Sequence, residues 1–183
     1  MSDPQAVHIF PFATSKSKRF QPLDDLLQCF WGKEQASTWR RLFEDPAITQ
    51  SLANRVSINR QFHVWFGKTR FAFKPLSQTP TTITLQFHWL RRTNLLPSTL
   101  VEASGEAILN GLRMSPETWG LGNLAHRASG MPLKTGQTFV IRAENAEDLP
   151  SFELLELQWN LHRIAAICGA ADLADLLDSD RGY

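Results

Sequence analysis

Two histidines and an asparagine are the residues of this chain best suited to chemistry. His8, Asn54 and His63 follow in that order, and nine positions separate the asparagine from the second histidine in the stretch "NRVSINRQFHVWFG". An imidazole titrates close to neutral pH, so it can take a proton from a reacting group or, when neutral, ligate a metal ion. An asparagine side chain both donates and accepts, and so can pin a neighbouring loop by its main chain. A second group mixes rings and charge: Trp65 in the same stretch, then His88, Trp89 and Arg91 in "FHWLRR". Rings that stack beside guanidinium groups that grip anions would form a substrate-binding surface, although the same mixture also occurs where a sheet edge ends in solvated arginines.

Those residues need elements to hold them. From Asn54 to Ile58 apolar Val56 and Ile58 alternate with polar neighbours, the pattern of a half-buried strand, and Asn59 is placed to cap a helix over 59–66 that carries Phe62, His63, Trp65 and Phe66. A strand running into a helix can aim one polar side chain from each at a common point. "QAVHIFPF" reads as a strand ended by Pro11, which leaves His8 at a strand end. Between this strand and Asn54 the spacing predicts inserted helices: one from Pro22 with Leu23, Leu26, Leu27 and Phe30 on its apolar face, one capped by Ser37 with Trp39, Leu42 and Phe43, and one opened by Asp45-Pro46. His63, lying among aromatic residues, is expected as a hydrogen-bonded core histidine unless a metal claims it.

Downstream, "RFAFKPL" and "TITLQFHWLRR" alternate as two strands joined by "SQTPT". His88 has the opposite parity to Phe87 and Trp89, which places it on the face away from their core. Residues 93–135 are rich in Pro, Gly, Ser and Asn without a sustained period, the mark of a lid or of short elements. "GQTFVIRA" is a further strand. The residues from Pro150 to Gly169 hold Leu154, Leu157, Leu161, Ile164 and Cys168 at helical spacing, the clearest helix of the chain. The expected fold class is α+β: an antiparallel sheet, inserted helices and a long C-terminal helix in a single domain over residues 1–183.

Composition limits the remaining choices. A chain of 183 residues with 43% hydrophobic content can bury a sizeable core. It has neither an apolar stretch long enough to cross a bilayer nor the opening of a signal peptide, so an intracellular protein, cytoplasmic or nuclear, with no membrane partner is expected. Cys29 and Cys168 fall in apolar helical contexts and read as buried free thiols, and His126 and His162 read as surface residues. Residues 1–92 hold thirteen Lys and Arg against six Asp and Glu, and residues 93–183 hold six against twelve. The first half could attract an anion, or the two halves could neutralise one another.

The order His8-Ile9-Phe10-Pro11, Asn54, His63 resembles the H-x-x-P, Asn, His motif of the HNH, or His-Me finger, endonucleases, with the same nine-residue step from Asn to His. "HVWFGKTRFAFKPL", "LQFHWLRR" and the C-terminal helix extend the likeness to HNH-domain proteins of filamentous fungi. The resemblance implies a strand hairpin followed by a helix. His8 would be the general base, Asn54 the residue that orders the connecting backbone, and His63 a ligand to a divalent metal at a phosphodiester. The sequence departs from the pattern where relatives add metal donors, since Val7 and Gly67 occupy those positions.

That departure favours an enzyme on this scaffold working without a cofactor. His8 would act as general acid and base on a small organic substrate in an isomerisation or cyclisation of the kind secondary metabolism uses, with Trp65, His88, Trp89 and Arg91 binding it. The alternatives are a nuclease cleaving nucleic acid, with a divalent metal as its cofactor, and a non-catalytic binding module.

Overall fold

The computed structural model describes residues 4–10, 20–91 and 130–167. Strand β1 (Pro4–His8) pairs antiparallel with β2 (Arg55–Asn59), in the register Gln5 to Ile58, Val7 to Val56 and His8 to Arg55. Strand β2 runs directly into helix α3 (Arg60–Gly67), whose first turn is capped by Asn59, its Oδ1 accepting from the Phe62 amide at 2.8 Å. The expected strand-to-helix step is therefore present, and the helix starts where the cap sets it.

The segment between β1 and β2 folds into helix α1 (Phe20–Glu44), helix α2 (Pro46–Thr49) and a 3₁₀ turn (Leu52–Asn54). Ser37 does not start a separate helix, as its capping character predicts, but lies inside α1, and the break comes at Gly32, where φ is 80° and ψ 166°. Asp24 and Arg40, sixteen positions apart, meet in an ion pair whose carboxylate is buried, although an unbroken helix would hold them about 24 Å apart. The Trp31 and Trp39 rings also meet, with centroids 5.5 Å apart. Helix α1 is thus folded back on itself at Gly32. The fold-back exposes two residues expected inside: Phe30 is 66% exposed and Cys29 lies at the surface.

Strands β3 (Phe71–Thr79), β4 (Thr82–Trp89) and β5 (Thr138–Arg142) form an antiparallel sheet in the order β3-β4-β5. "SQT" belongs to β3 and not to the connection, because the pairing runs on to Thr79 and Thr82 and leaves Pro80 and Thr81 as the turn. The register shifts between Pro75 and Ser77. Before that shift the odd-numbered residues of β3 turn their main-chain groups outward, so the missing N–H of Pro75 costs the ladder nothing.

Helix α4 (Phe152–Ile167) packs along β3. Its start is tied down by Ser151, whose amide donates to Ala53 O at 2.7 Å and whose Oγ accepts from the Leu154 amide at 3.2 Å. The core lies between these elements. Val7, Val56, Leu27, Trp39, Phe66, Phe71, Phe87, Leu154, Leu155 and Leu157 are all buried in one cluster. Its centre is aromatic, with Phe71 and Phe87 stacked at 5.1 Å and Phe87 and Trp89 edge to face at 4.8 Å. Each fully buried side chain of this size contributes about 1.5–3 kcal/mol. The molecule is α+β, with antiparallel sheets and a long C-terminal helix. No helix among the described residues is long and apolar enough to cross a membrane. The irregular stretch as far as residue 129, His126, Cys168 and the chain beyond it fall outside the described residues.

The backbone at Gly32 is one that only glycine adopts without strain, and nothing stands within 4 Å of the position a Cβ would take. Gly32→Ala should therefore destabilise the protein by about 1–3 kcal/mol through strain alone. Gly67→Ala, at a helical position with the same open surroundings, should be neutral or stabilising by up to about 1 kcal/mol. Urea midpoints of the two variants test the pair.

Candidate functional site

Asn54 is fully buried and spends all of its side chain on main chain. Its Oδ1 accepts from the Phe10 amide at 2.9 Å, and its Nδ2 donates to Phe10 O at 2.9 Å and to Thr49 O at 3.0 Å. Its own carbonyl accepts from the Ile9 amide at 3.0 Å. The two ends of the long insertion, 44 positions apart in sequence, are thereby closed onto one residue. Asn54 therefore ties the main chain together at both ends of the insertion.

The clamp holds the end of β1, where His8 sits. Alternation gives the two-stranded ribbon two unlike faces. Val7 and Val56 face the core, whereas Ala6, His8, Arg55 and Ser57 lie on the other face and are exposed. His8 is directly opposite Arg55. No hydrogen bond to the His8 ring occurs among the described residues, so its nitrogens stand open to a bound molecule. A base with a cation across the strand can draw a proton from a substrate and have the resulting negative charge met by the guanidinium.

His63 belongs to the other side. It is exposed on α3 and not in the core as expected, and its Nδ1 meets Gln5 Oε1 at 2.9 Å. Gln5 and Val7 share the face opposite to His8, so the ribbon stands between the two imidazoles. Among the described residues, those at the motif do not fit the divalent metal that the HNH likeness implies. Val7, at the position of a donor, is 5% exposed and packed in apolar surroundings; Gly67 has no side chain; and the near nitrogen of His63 is engaged with an amide. A divalent ion needs several oxygen or imidazole donors, and one imidazole beside one amide falls short.

The aromatic and cationic group expected to bind substrate is split by the sheet. Trp65 and Trp89 are in contact, with centroids 5.9 Å apart, half-buried against the main core, and the Trp89 indole donates to Leu133 O at 2.9 Å. His88 points to the opposite face, as its parity predicts, and lies against the Trp159 ring of α4 at 4.8 Å, with Gln86 Oε1 2.8 Å from its Nε2. Burial and the nearby Lys74 and Arg163 lower its pKa. Arg91 is exposed beyond the end of β4. These four residues serve core, second face and solvent, and do not line one surface.

Sequence reasoning missed Arg55, Gln5 and His162. The signal for Arg55 was available: from Pro46 to Arg91 the chain carries Arg55, Arg60, Lys68, Arg70, Lys74 and Arg91 and no Asp or Glu. Nothing in the sequence marks Gln5. His162, expected at the surface, is half-buried, with its ring 4.7 Å from Phe66 and its Nδ1 3.2 Å from Phe71 O and 2.7 Å from Gln158 Nε2. A neutral ring makes one of these bonds at a time: the Nδ1–H tautomer donates to Phe71, and the Nε2–H tautomer accepts from Gln158. Burial outweighs the carbonyl contact and lowers the His162 pKa to about 4. Comparison of the chain with family models, curated proteins and solved structures returns no match.

Asn54→Ala leaves the Phe10 amide and the Phe10 and Thr49 carbonyls buried without their partner, so it should cost about 3 kcal/mol or more in urea unfolding. His63→Ala, at an exposed position, should cost less than about 1 kcal/mol.

His162 should make stability depend on pH. Its pKa is about 4 in the folded state against 6.5 for an unperturbed imidazole in the unfolded chain, so between these values the unfolded chain binds the extra proton. Stability is then fully present above about pH 6.5 and falls as the pH drops towards 4, by on the order of 3 kcal/mol. Urea midpoints of wild type should fall more steeply across this window than those of His162→Gln.

Proposed function

We propose that this chain is an enzyme on an HNH-like scaffold in which His8 acts as general acid and base on a small organic substrate, without a metal. The observation that carries the proposal is the exposed imidazole of His8 opposite Arg55, at the end of a strand clamped by Asn54, with Val7 occupying the place of a metal donor. In an isomerisation or cyclisation a neutral His8 takes a proton from a C–H or O–H of the substrate. The electron pair left behind shifts to a new carbon or closes a ring, Arg55 offsets the negative charge, and the imidazolium returns the proton. General acid–base catalysis of this kind supplies about 10²–10⁴-fold. That suffices for a reaction that is already feasible uncatalysed, and falls short of what unassisted phosphodiester cleavage demands.

A second reading has an observation of its own. The run of cations without a carboxylate from Pro46 to Arg91 suits a polyanion, which favours a nuclease.

The two readings separate in one set of assays. Wild type is incubated with metabolite extracts and mass spectrometry follows conversions that leave the mass unchanged; in parallel, plasmid and RNA cleavage is measured with Mg²⁺, Mn²⁺ and Zn²⁺. His8→Ala should keep the circular-dichroism spectrum and melting temperature of wild type and lower turnover by about 10²-fold or more, and cleavage should stay at background with every metal. Metal-dependent cleavage lost in His8→Ala would replace the proposal with the nuclease. Unchanged turnover in His8→Ala would remove His8 from catalysis.

A further inference from the structure

The β3-β4-β5 sheet ends differently on its two sides. At β3 helix α4 meets the edge at its start, where His162 reaches the outward Phe71 carbonyl. At β5 no described element pairs with the outer edge. The Phe87 amide donates to Gln137 O at 2.8 Å and the Ala143 amide to Thr81 O at 3.0 Å. With the unbroken register of β4 and β5, the odd-numbered residues of β5 turn their N–H and C=O inward. The N–H and C=O groups of Thr138, Val140 and Arg142 therefore point out of the sheet, free to pair. Within β5 the edge carries no proline and no bulge, and no charged side chain turns towards the core. Phe139 and Val140 are 42% and 48% exposed on its two faces.

We infer that β5 pairs with β5 of a second copy of this chain, antiparallel about a two-fold axis through Val140. Only this register uses every outward group. Val140 exchanges two hydrogen bonds with its counterpart, and Thr138 and Arg142 exchange two with each other on either side. The side chains match in the same register. Phe139 of each copy comes beside Ile141 of the other, on the core face that Ile83 and Leu85 already line, and aromatic with β-branched neighbours is a favourable cross-strand pair. Val140 meets Val140 on the far face. Arg142 lies opposite Thr138, so no like charges oppose. The axis closes the assembly at two copies, because pairing about it uses the outer β5 edge of both. The contact is small, so the dimer is in exchange with monomer.

Sedimentation velocity over about a hundredfold range of concentration tests the inference, together with hydrogen exchange of the wild-type amides. Wild type should shift from monomer to dimer as concentration rises, and the amides of Thr138, Val140 and Arg142 should gain protection in step. Val140→Lys places two ammonium groups across the axis, and Val140→Pro removes only an outward N–H. Each should weaken dimerisation at least about tenfold. Leu76→Lys, a change at an exposed apolar residue on β3, should leave it intact. Wild type that stays monomeric throughout, or a dimer that forms without protecting these three amides, would overturn the inference. Should either Val140 variant fail to fold, the exchange pattern of wild type decides alone.

Discussion

Asn54 closes a long excursion of the chain with one side chain. Without it the end of β1 and the start of β2 would be joined only by their own short ladder, and the inserted helices would form a loop whose closure entropy the core alone had to offset. Its three hydrogen bonds are made in full burial, where each partner would otherwise be stranded. Three further features rest on the same knot: the position of His8, the entry into α3 and, through Ala53 and Ser151, the start of α4. A buried amide suits this task because it bonds main chain on two sides without carrying a charge into the core.

Around that knot the molecule keeps apolar and polar duties apart. The ribbon gives one face to Val7 and Val56 and the other to His8 and Arg55, so a reactive group stands on a rigid frame without entering the core. The sheet does likewise with Phe87 and Trp89 on one face and His88 on the other. Helix α4 lies along β3 and serves both faces, with leucines in the main core and Trp159 under His88. It also reaches the β3 edge at Phe71, through a histidine that burial keeps neutral. Among the described residues the opposite edge has no such contact.

Much of this was legible from the residues. Strict alternation identified β2, β3 and β4, the Asn59 cap marked the first turn of α3, and five apolar residues at helical spacing marked α4, because side-chain burial repeats every two residues in a strand and every 3.6 in a helix. Parity alone placed His88 away from Phe87 and Trp89. Periodicity does not say where a chain reverses when glycine lets it do so. The same apolar spacing that placed Phe30 and Cys29 inside would hold for a straight helix, and the turn at Gly32 moved both outward.

The sequence by itself determined the local elements and the residue types able to do chemistry, since both depend on neighbours within a turn or a few strand positions. Only the tertiary structure decided which of those residues share a surface. It put His8 and His63 on opposite faces of a ribbon, set Arg55 across from His8 and packed Trp65 and Trp89 against the core. It also set the half-buried His162 against a carbonyl ninety-one positions away in sequence. Pairing register and helix packing settle such matters, and they arise from contacts between segments that no local pattern specifies.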